Sequence, residues 1–199
     1  MADLHAGALK FGKAIPAETV AENLEKALAG LDRAQDISIE ISQRTDGFYA
    51  PVTCKNLWIK VPYHLFTEVI EALFDIDVLH FHVISGFDDG DSVTLRYHFS
   101  LFSYGERSGR VPVSVIVRAP KSDVVRPPKL DLMMPSLFSL IPGIEYSERE
   151  IREMYGVEFD GLPNKSLIFL PEQWDEEIKP WRDDEAGLSQ NPDIVRRLS

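Results

Sequence analysis

Three consecutive stretches in the middle of the chain alternate apolar and other residues with a period of two, and they limit what the chain can become. Leu79, Phe81 and Val83 share one face of the first. Val93, Leu95, Tyr97, Phe99 and Leu101 share a face of the second, and Val111, Val113, Val115 and Val117 of the third. Alternate residues of a strand point to opposite sides, so each stretch reads as a strand with one apolar face. Asp88, Asp89, Gly90 and Asp91 supply a turn after the first, and Gly105 to Gly109 a turn after the second. Strands joined by short links run antiparallel, because a parallel pair needs a long crossover.

That apolar face needs a cover, and the preceding sequence supplies helices. Pro16 opens one, with Val20, Ala21, Leu24, Ala27 and Leu28 at helical spacing through Ala29 and Gly30 placed as a C-terminal cap. Ile37 to Ile41 and Asn56 to Val61 read as further strands. Pro62 then starts a second helix with the stripe Leu65, Phe66, Val69, Ile70, Leu73 and Phe74. The predicted class is α+β: an antiparallel or mixed sheet with helices packed on one face, followed by an extended C-terminal tail.

After Arg118 the pattern changes. Pro120, Pro127, Pro128 and Pro135 break regular structure, Ser136 stands ready to cap a short helix from Leu137 to Ile141, and a charged helix is predicted from Glu145 to Tyr155. Beyond Gly156 only fragments are legible: a strand from Leu167 to Leu170, then Pro171, Pro180 and Pro192 in a polar stretch. The predicted division is an arm over residues 1–14, a core domain over 15–119, a linker and charged helix completing it over 120–156, and a tail over 157–199. With no dense apolar pattern, such a tail is expected to wrap a partner or stay disordered.

Composition removes several function classes. The 199 residues suit one core with extensions, and the net charge of −11, without a basic patch, argues against nucleic acid. It also argues against docking an acidic electron carrier through this chain alone. Cys54 is the only cysteine, too few thiolates for an iron–sulfur cluster or a structural zinc site. No run approaches the ~18 apolar residues of a membrane span, and the first residues lack a signal-peptide layout, so a cytoplasmic location is expected.

His80 and His82 fall on one side of a strand with His98 on its neighbour, three imidazoles that could be imagined around a metal. They are more simply the less buried face of a half-exposed sheet. Asp88, Asp89 and Asp91 lack the glycine and terminal glutamate of a calcium loop. In the charged helix, Glu145 and Arg149, Arg149 and Glu153, and Glu148 and Arg152 stand four residues apart. Physics alone reads them as a solvated, salt-bridged helix capped by Gly156, each pair contributing about 0.2–0.5 kcal/mol.

The order of residues from this helix onward resembles a known family. Glu148, Arg149, Glu150, then Met154, Tyr155, Gly156, Val157, Phe159, Gly161 and Pro163 resemble the pattern of the thirty-kilodalton subunit of the respiratory-chain NADH dehydrogenases, in which E-R-E precedes an aromatic or Met pair, a Gly and F-x-G-H-P. Leu170, Pro171, Trp174, Pro180 and Arg182 resemble the ending of the same family, and the likeness spans residues 35–185. Leu162 stands where His is usual, Tyr146 where Trp is, Trp181 where Leu is and Asp183 where Lys is. The spacing from Trp174 to Pro180 is more similar to the membrane-bound NiFe-hydrogenase branch.

The resemblance implies a non-catalytic structural subunit in the peripheral arm of a complex I-like membrane-bound oxidoreductase, of the energy-converting, ferredoxin-linked hydrogenase type. It implies no cofactor in this chain, with iron–sulfur clusters and a NiFe centre in partner subunits. The implied partners are a hydrogenase-large-type subunit, a small iron–sulfur subunit and, indirectly, membrane subunits, with the chain peripheral on the inner face of the cell membrane. The implied interface comprises Glu148, Arg149, Glu150, Arg152, Tyr155, Gly156, Phe159, Gly161, Pro163, Trp174, Pro180, Trp181 and Arg182. The equivalent subunit of an NADH- or other donor-quinone oxidoreductase is the alternative, and a stand-alone metal-binding enzyme or an assembly factor the alternative of another class.

Overall fold

The computed structural model describes residues 13–46, 52–103, 109–121 and 133–188. Most of the expected arm, the turn before Gly109, and Pro127, Pro128 and Pro192 lie outside the described residues. In chain order the regular elements are α1 (Ala17–Leu28), β1 (Ser38–Asp46), β2 (Val52–Lys60), α2 (Phe66–Ile76), β3 (His80–Asp88), β4 (Ser92–Leu101), β5 (Val111–Pro120), β6 (Met133–Pro135), α3 (Glu145–Tyr155) and β7 (Glu158–Asp160).

Five strands pair in the order β1-β2-β5-β4-β3, a mixed sheet. β1 and β2 are antiparallel, Ser38 facing Lys60, whereas β2 and β5 are parallel, Leu57 facing Val113. The sheet is thus the mixed one that the sequence allowed, and its parallel pair is not one of those joined by a short link. The chain between β2 and β5 contains α2 and two further strands, long enough for the crossover that a parallel pair requires.

Two compact units divide the chain, one made of residues up to His82 with Tyr97–Ile116, the other of Val83–Arg96 with Val117 onward. In the first, the apolar faces predicted from sequence meet. Val20 and Leu24 of α1, Phe66, Val69, Ile70 and Leu73 of α2, Leu57 and Ile59 of β2, and Tyr97 and Leu101 of β4 are fully buried. Each such side chain removes enough apolar surface from water to stabilise the fold by about 1.5–3 kcal/mol. Pro16 leads into α1 at φ −58°, its carbonyl accepting the N–H of Val20 at 3.0 Å. The left-handed turn after α1 falls on Arg33 (φ 63°) rather than at Gly30, where a cap was expected.

In the second unit Ser92, Val93, Thr94 and Leu95 of β4 are all buried, so both faces of that stretch are covered. The expected face of β3 changes partway along it: Val83 is 43% exposed and Ile84 only 3%. Two successive outward residues, His82 and Val83, shift the alternation by one. The helix expected from Leu137 to Ile141 is a turn, in which the N–H groups of Leu140 and Ile141 both donate to the Leu137 carbonyl. The strand expected at Leu167 to Leu170 is irregular backbone, because its N–H groups are taken by a side chain rather than by a neighbouring strand.

A candidate interface built on the charged helix

The sequence of α3 carries too many charges for a core element, yet three of its six charged residues are buried within their own unit. Glu148 is 0% exposed, Glu153 2% and Arg149 9%. A solvated helix would pair these charges four residues apart, and of the three expected pairs Glu145 with Arg149 is seen, at 3.4 Å. The others have left their helical neighbours for irregular backbone, which offers unpaired N–H and C=O groups that cost free energy if buried unsatisfied.

Glu148 closes the turn before the helix. Its carboxylate accepts from Ser136 Oγ at 2.5 Å and from the Leu137 N–H at 2.8 Å, while Ser136 Oγ accepts the N–H of Phe138 at 3.1 Å. Burial pushes the Glu148 carboxyl above the ordinary glutamate range, and the two hydrogen bonds only partly offset that. Glu153 acts on the other side. Its carboxylate accepts the N–H groups of Ile168 at 2.8 Å, Phe169 at 3.0 Å and Leu170. Arg149 satisfies the acceptors of the same loop, donating to the Ser166 carbonyl at 3.0 Å and the Ser166 hydroxyl at 2.9 Å. Arg152 ties in Glu158 at 2.9 Å and the Lys165 carbonyl at 3.1 Å.

The helix ends as its sequence implies. Gly156 adopts φ 81° and donates to the Arg152 carbonyl at 3.0 Å. Tyr155 next to it is buried and reaches β3, its hydroxyl donating to the Gly86 carbonyl at 2.7 Å. A Cβ on Gly86 would stand 2.5 Å from the tyrosine ring, so this contact needs glycine there. Phe159 is fully buried on β7, which pairs in parallel with β6. Leu162, where the resembling family has His, is 5% exposed and packs as an apolar residue.

The tail was expected to wrap a partner or stay disordered, and through residue 188 it is held to α3 by contacts of its own. Trp181 donates its backbone N–H to the Met154 carbonyl at 3.2 Å and sets its ring edge-on to Tyr155 at 5.6 Å. Trp174 Nε1 donates to the Ile178 carbonyl at 3.0 Å. Arg182 is 3% exposed and pairs with Asp184. Of the thirteen residues expected at the interface, Glu148, Arg149, Tyr155, Phe159 and Arg182 are thus buried within this unit. Glu150, Arg152, Gly156, Trp174 and Pro180 are half-buried, and Gly161, Pro163 and Trp181 are exposed. Tyr146 (66% exposed) and Phe169 (62%) join Trp181 (47%) as large apolar residues facing solvent.

Sequence reasoning missed Ser166 and Gly86, whose partners are 17 and 69 residues away, and it gave Ser136 a capping role without its bond to Glu148, 12 residues on. No local pattern marks contacts of that kind. Among the described residues no group of three His, Cys, Asp or Glu side chains could hold a metal ion. The rings of His80 and His82 meet edge to face at 5.1 Å, but His82 engages Ser100 Oγ and His98 engages Ser114 Oγ, each at 3.0 Å. Among the described residues no helix is long and apolar enough to cross a membrane.

Residues 59–191 match the family described as "Respiratory-chain NADH dehydrogenase, 30 Kd subunit", a span that includes α3, the loop it holds and the tail as far as residue 191. The chain belongs to that family. A relative from Pyrococcus furiosus, a membrane-bound hydrogenase beta subunit, is 31% identical over 151 residues, covering 72% of this chain and 82% of its own length. The NAD(P)H-quinone oxidoreductase subunit J of Prochlorococcus marinus is 28% identical over 116 residues, covering 58% of this chain and 65% of that protein. Among solved structures, a chain of the membrane-bound sulfane sulfur reductase, an archaeal respiratory membrane complex, superposes with a TM-score of 0.64. It covers 91% of this chain and 89% of its own at 17% identity, a likeness of fold. Of the Glu-Arg-Glu run on α3 that this family member carries, Glu148 and Arg149 are buried.

Proposed function

We propose that this chain is a non-catalytic structural subunit of the peripheral arm of a complex I-like membrane-bound oxidoreductase of the energy-converting hydrogenase type. The observation that carries the reading is the kinship with a membrane-bound hydrogenase beta subunit over 82% of that protein's length. In this reading the chain holds no redox centre. Iron–sulfur clusters and a NiFe centre reside in the large and small partner subunits, and the assembly sits on the cytoplasmic face of the membrane.

The interface reading is refined by burial. Glu148, Arg149 and Glu153 shape the loop and tail from within, and the contact itself falls on the apolar residues left in water: Tyr146, Phe169 and Trp181, with Gly161, Pro163 and half-buried Glu150 around them. Aromatic residues of this exposure suit the desolvated centre of an interface, where truncating one costs about 2 kcal/mol or more. In this reading residues 157–199 serve as the partner-facing extension.

The test is affinity purification of the tagged chain from solubilised membranes, with co-purifying subunits identified by mass spectrometry. A hydrogenase-large-type subunit and nickel in the eluate are expected, and Phe169→Ser and Trp181→Ala should lower recovery while melting like wild type. A chain recovered alone would refute the reading. The kinship with a quinone oxidoreductase subunit favours a second reading, a donor-quinone oxidoreductase. In that case the same large-type subunit would co-purify without nickel.

A further inference from the structure

The last described residues contain a buried charge cluster that the interface proposal does not use. Residues 179–187 close on themselves: the Lys179 N–H donates to the Ala186 carbonyl at 2.7 Å, and the Gly187 N–H to the Asp184 carbonyl at 2.8 Å. The closure is tight enough that a Cβ on Gly187 would stand 1.8 Å from the Arg182 carbonyl oxygen. On one side this loop lies on the end of α3. Trp181 bonds the Met154 carbonyl, the Trp181 ring meets Tyr155, and the Lys179 stem crosses Gly156, 3.1 Å from where a Cβ would be.

Charge holds the other side. Lys121, beyond the end of β5, places its ammonium 2.5 Å from Asp88 at the end of β3 and 2.8 Å from Asp184 in the loop. The Lys121 and Asp88 side chains are 4% and 1% exposed. Asp88 also accepts the Asp183 N–H at 2.9 Å, and Asp184 takes the Arg182 guanidinium, its Nε at 2.9 Å. Two cations and two carboxylates thus balance with little water, and deleting one leaves a buried charge unpaired. Ala186 is the one apolar side chain of the loop that is buried.

We propose that residues 179–187 form a lid over the C-terminal end of α3, bolted by the Lys121 ammonium between Asp88 and Asp184. The lid opens as a unit, independently of the segment that Arg149 and Glu153 hold. Open, it uncovers Gly156, the edge of Tyr155 and the Met154 carbonyl. The proposal does not depend on any partner, so its failure leaves the subunit reading untouched.

Amide hydrogen exchange on the full chain tests it, comparing wild type with Lys121→Met and Asp184→Asn. In Lys121→Met the amides of Lys179, Trp181, Ala186 and Gly187 should exchange faster by a common factor of at least about tenfold, while those of Ile168, Phe169 and Leu170 keep their rates. Asp184→Asn leaves the Lys121–Asp88 pair in place and should open the same amides. If Lys121→Met fails to fold, Asp184→Asn decides by the same readings. Unchanged rates at the lid amides would overturn the bolt. Joint acceleration of both segments would overturn the independence of the lid.

Discussion

Replacing Glu153 with alanine should release the segment from Ile168 to Leu170 and lower the stability of the whole chain. The carboxylate uses both oxygens: Oε2 accepts from Ile168 and Oε1 from Leu170, with Phe169 shared between them. Hydrogen bonds to a charged acceptor contribute about 1.5–3 kcal/mol each when buried. Ile168 and Leu170 are half-buried and Phe169 exposed, so water takes over part of the loss, and the net cost comes to about 3 kcal/mol rather than the sum. In a chain of this size each kcal/mol shifts the melting temperature by about 2–4 °C, so Glu153→Ala should melt about 6–12 °C lower. Glu153→Gln should fall nearly as far, because its amide nitrogen would face backbone donors. The assay is thermal and urea unfolding with amide exchange at residues 168–170. A solvated helix would lose only a few tenths of a kcal/mol. A shift within about 2 °C, with unchanged exchange at those amides, would refute the buried arrangement of α3.

Three further outcomes are expected. Burial raises Glu148 above its ordinary value of 4.5, so between that value and the raised one the folded chain binds more protons than the unfolded chain and stability falls as pH rises. Glu148→Gln cannot titrate, so its melting temperature relative to wild type should climb from about pH 4 to pH 8, and a constant difference would contradict the buried carboxyl. Gly86→Ala should cost about 2 kcal/mol by driving its methyl into the Tyr155 ring, read as a lower urea midpoint; an unchanged midpoint would remove that contact. Metal analysis of the isolated chain should find no stoichiometric iron, nickel or zinc, and one tightly bound ion per chain would overturn the cofactor-free reading.

The acid side of the pH profile runs the opposite way. Burial disfavours the charged forms of Asp88 and Asp184, yet hydrogen bonds outweigh it and hold both carboxyls below their ordinary value of 3.8. Lys121 with the Asp183 and Gly90 N–H groups act on Asp88, and Arg182, Lys121 and the Ala186 N–H on Asp184. Their contribution is complete above that value and is lost as pH falls through the lowered one. The lid should therefore loosen in acid, when Glu148 is at its most favourable.

Periodicity in the sequence was enough to place α1, α2, β3 to β5 and the charged helix, because the spacing of apolar residues is a local property that burial of one face enforces. The hairpin at Asp88 to Asp91 and the helix end at Gly156 were legible for the same reason, each needing glycine at positive φ within a few residues of its partners. The parallel pairing of β2 with β5 was not, since it depends on where a long connection returns. The fate of the charges on α3 was not legible either. Glu148, Arg149 and Glu153 look the same in sequence whether they face water or satisfy a loop. Only the folded chain brings Ser136, Ser166 and the Ile168 to Leu170 amides within reach of them. The Lys121, Asp88 and Asp184 cluster joins residues 33 and 63 positions from the lysine, and a contact at that distance is decided by topology, which no local pattern of residue types encodes.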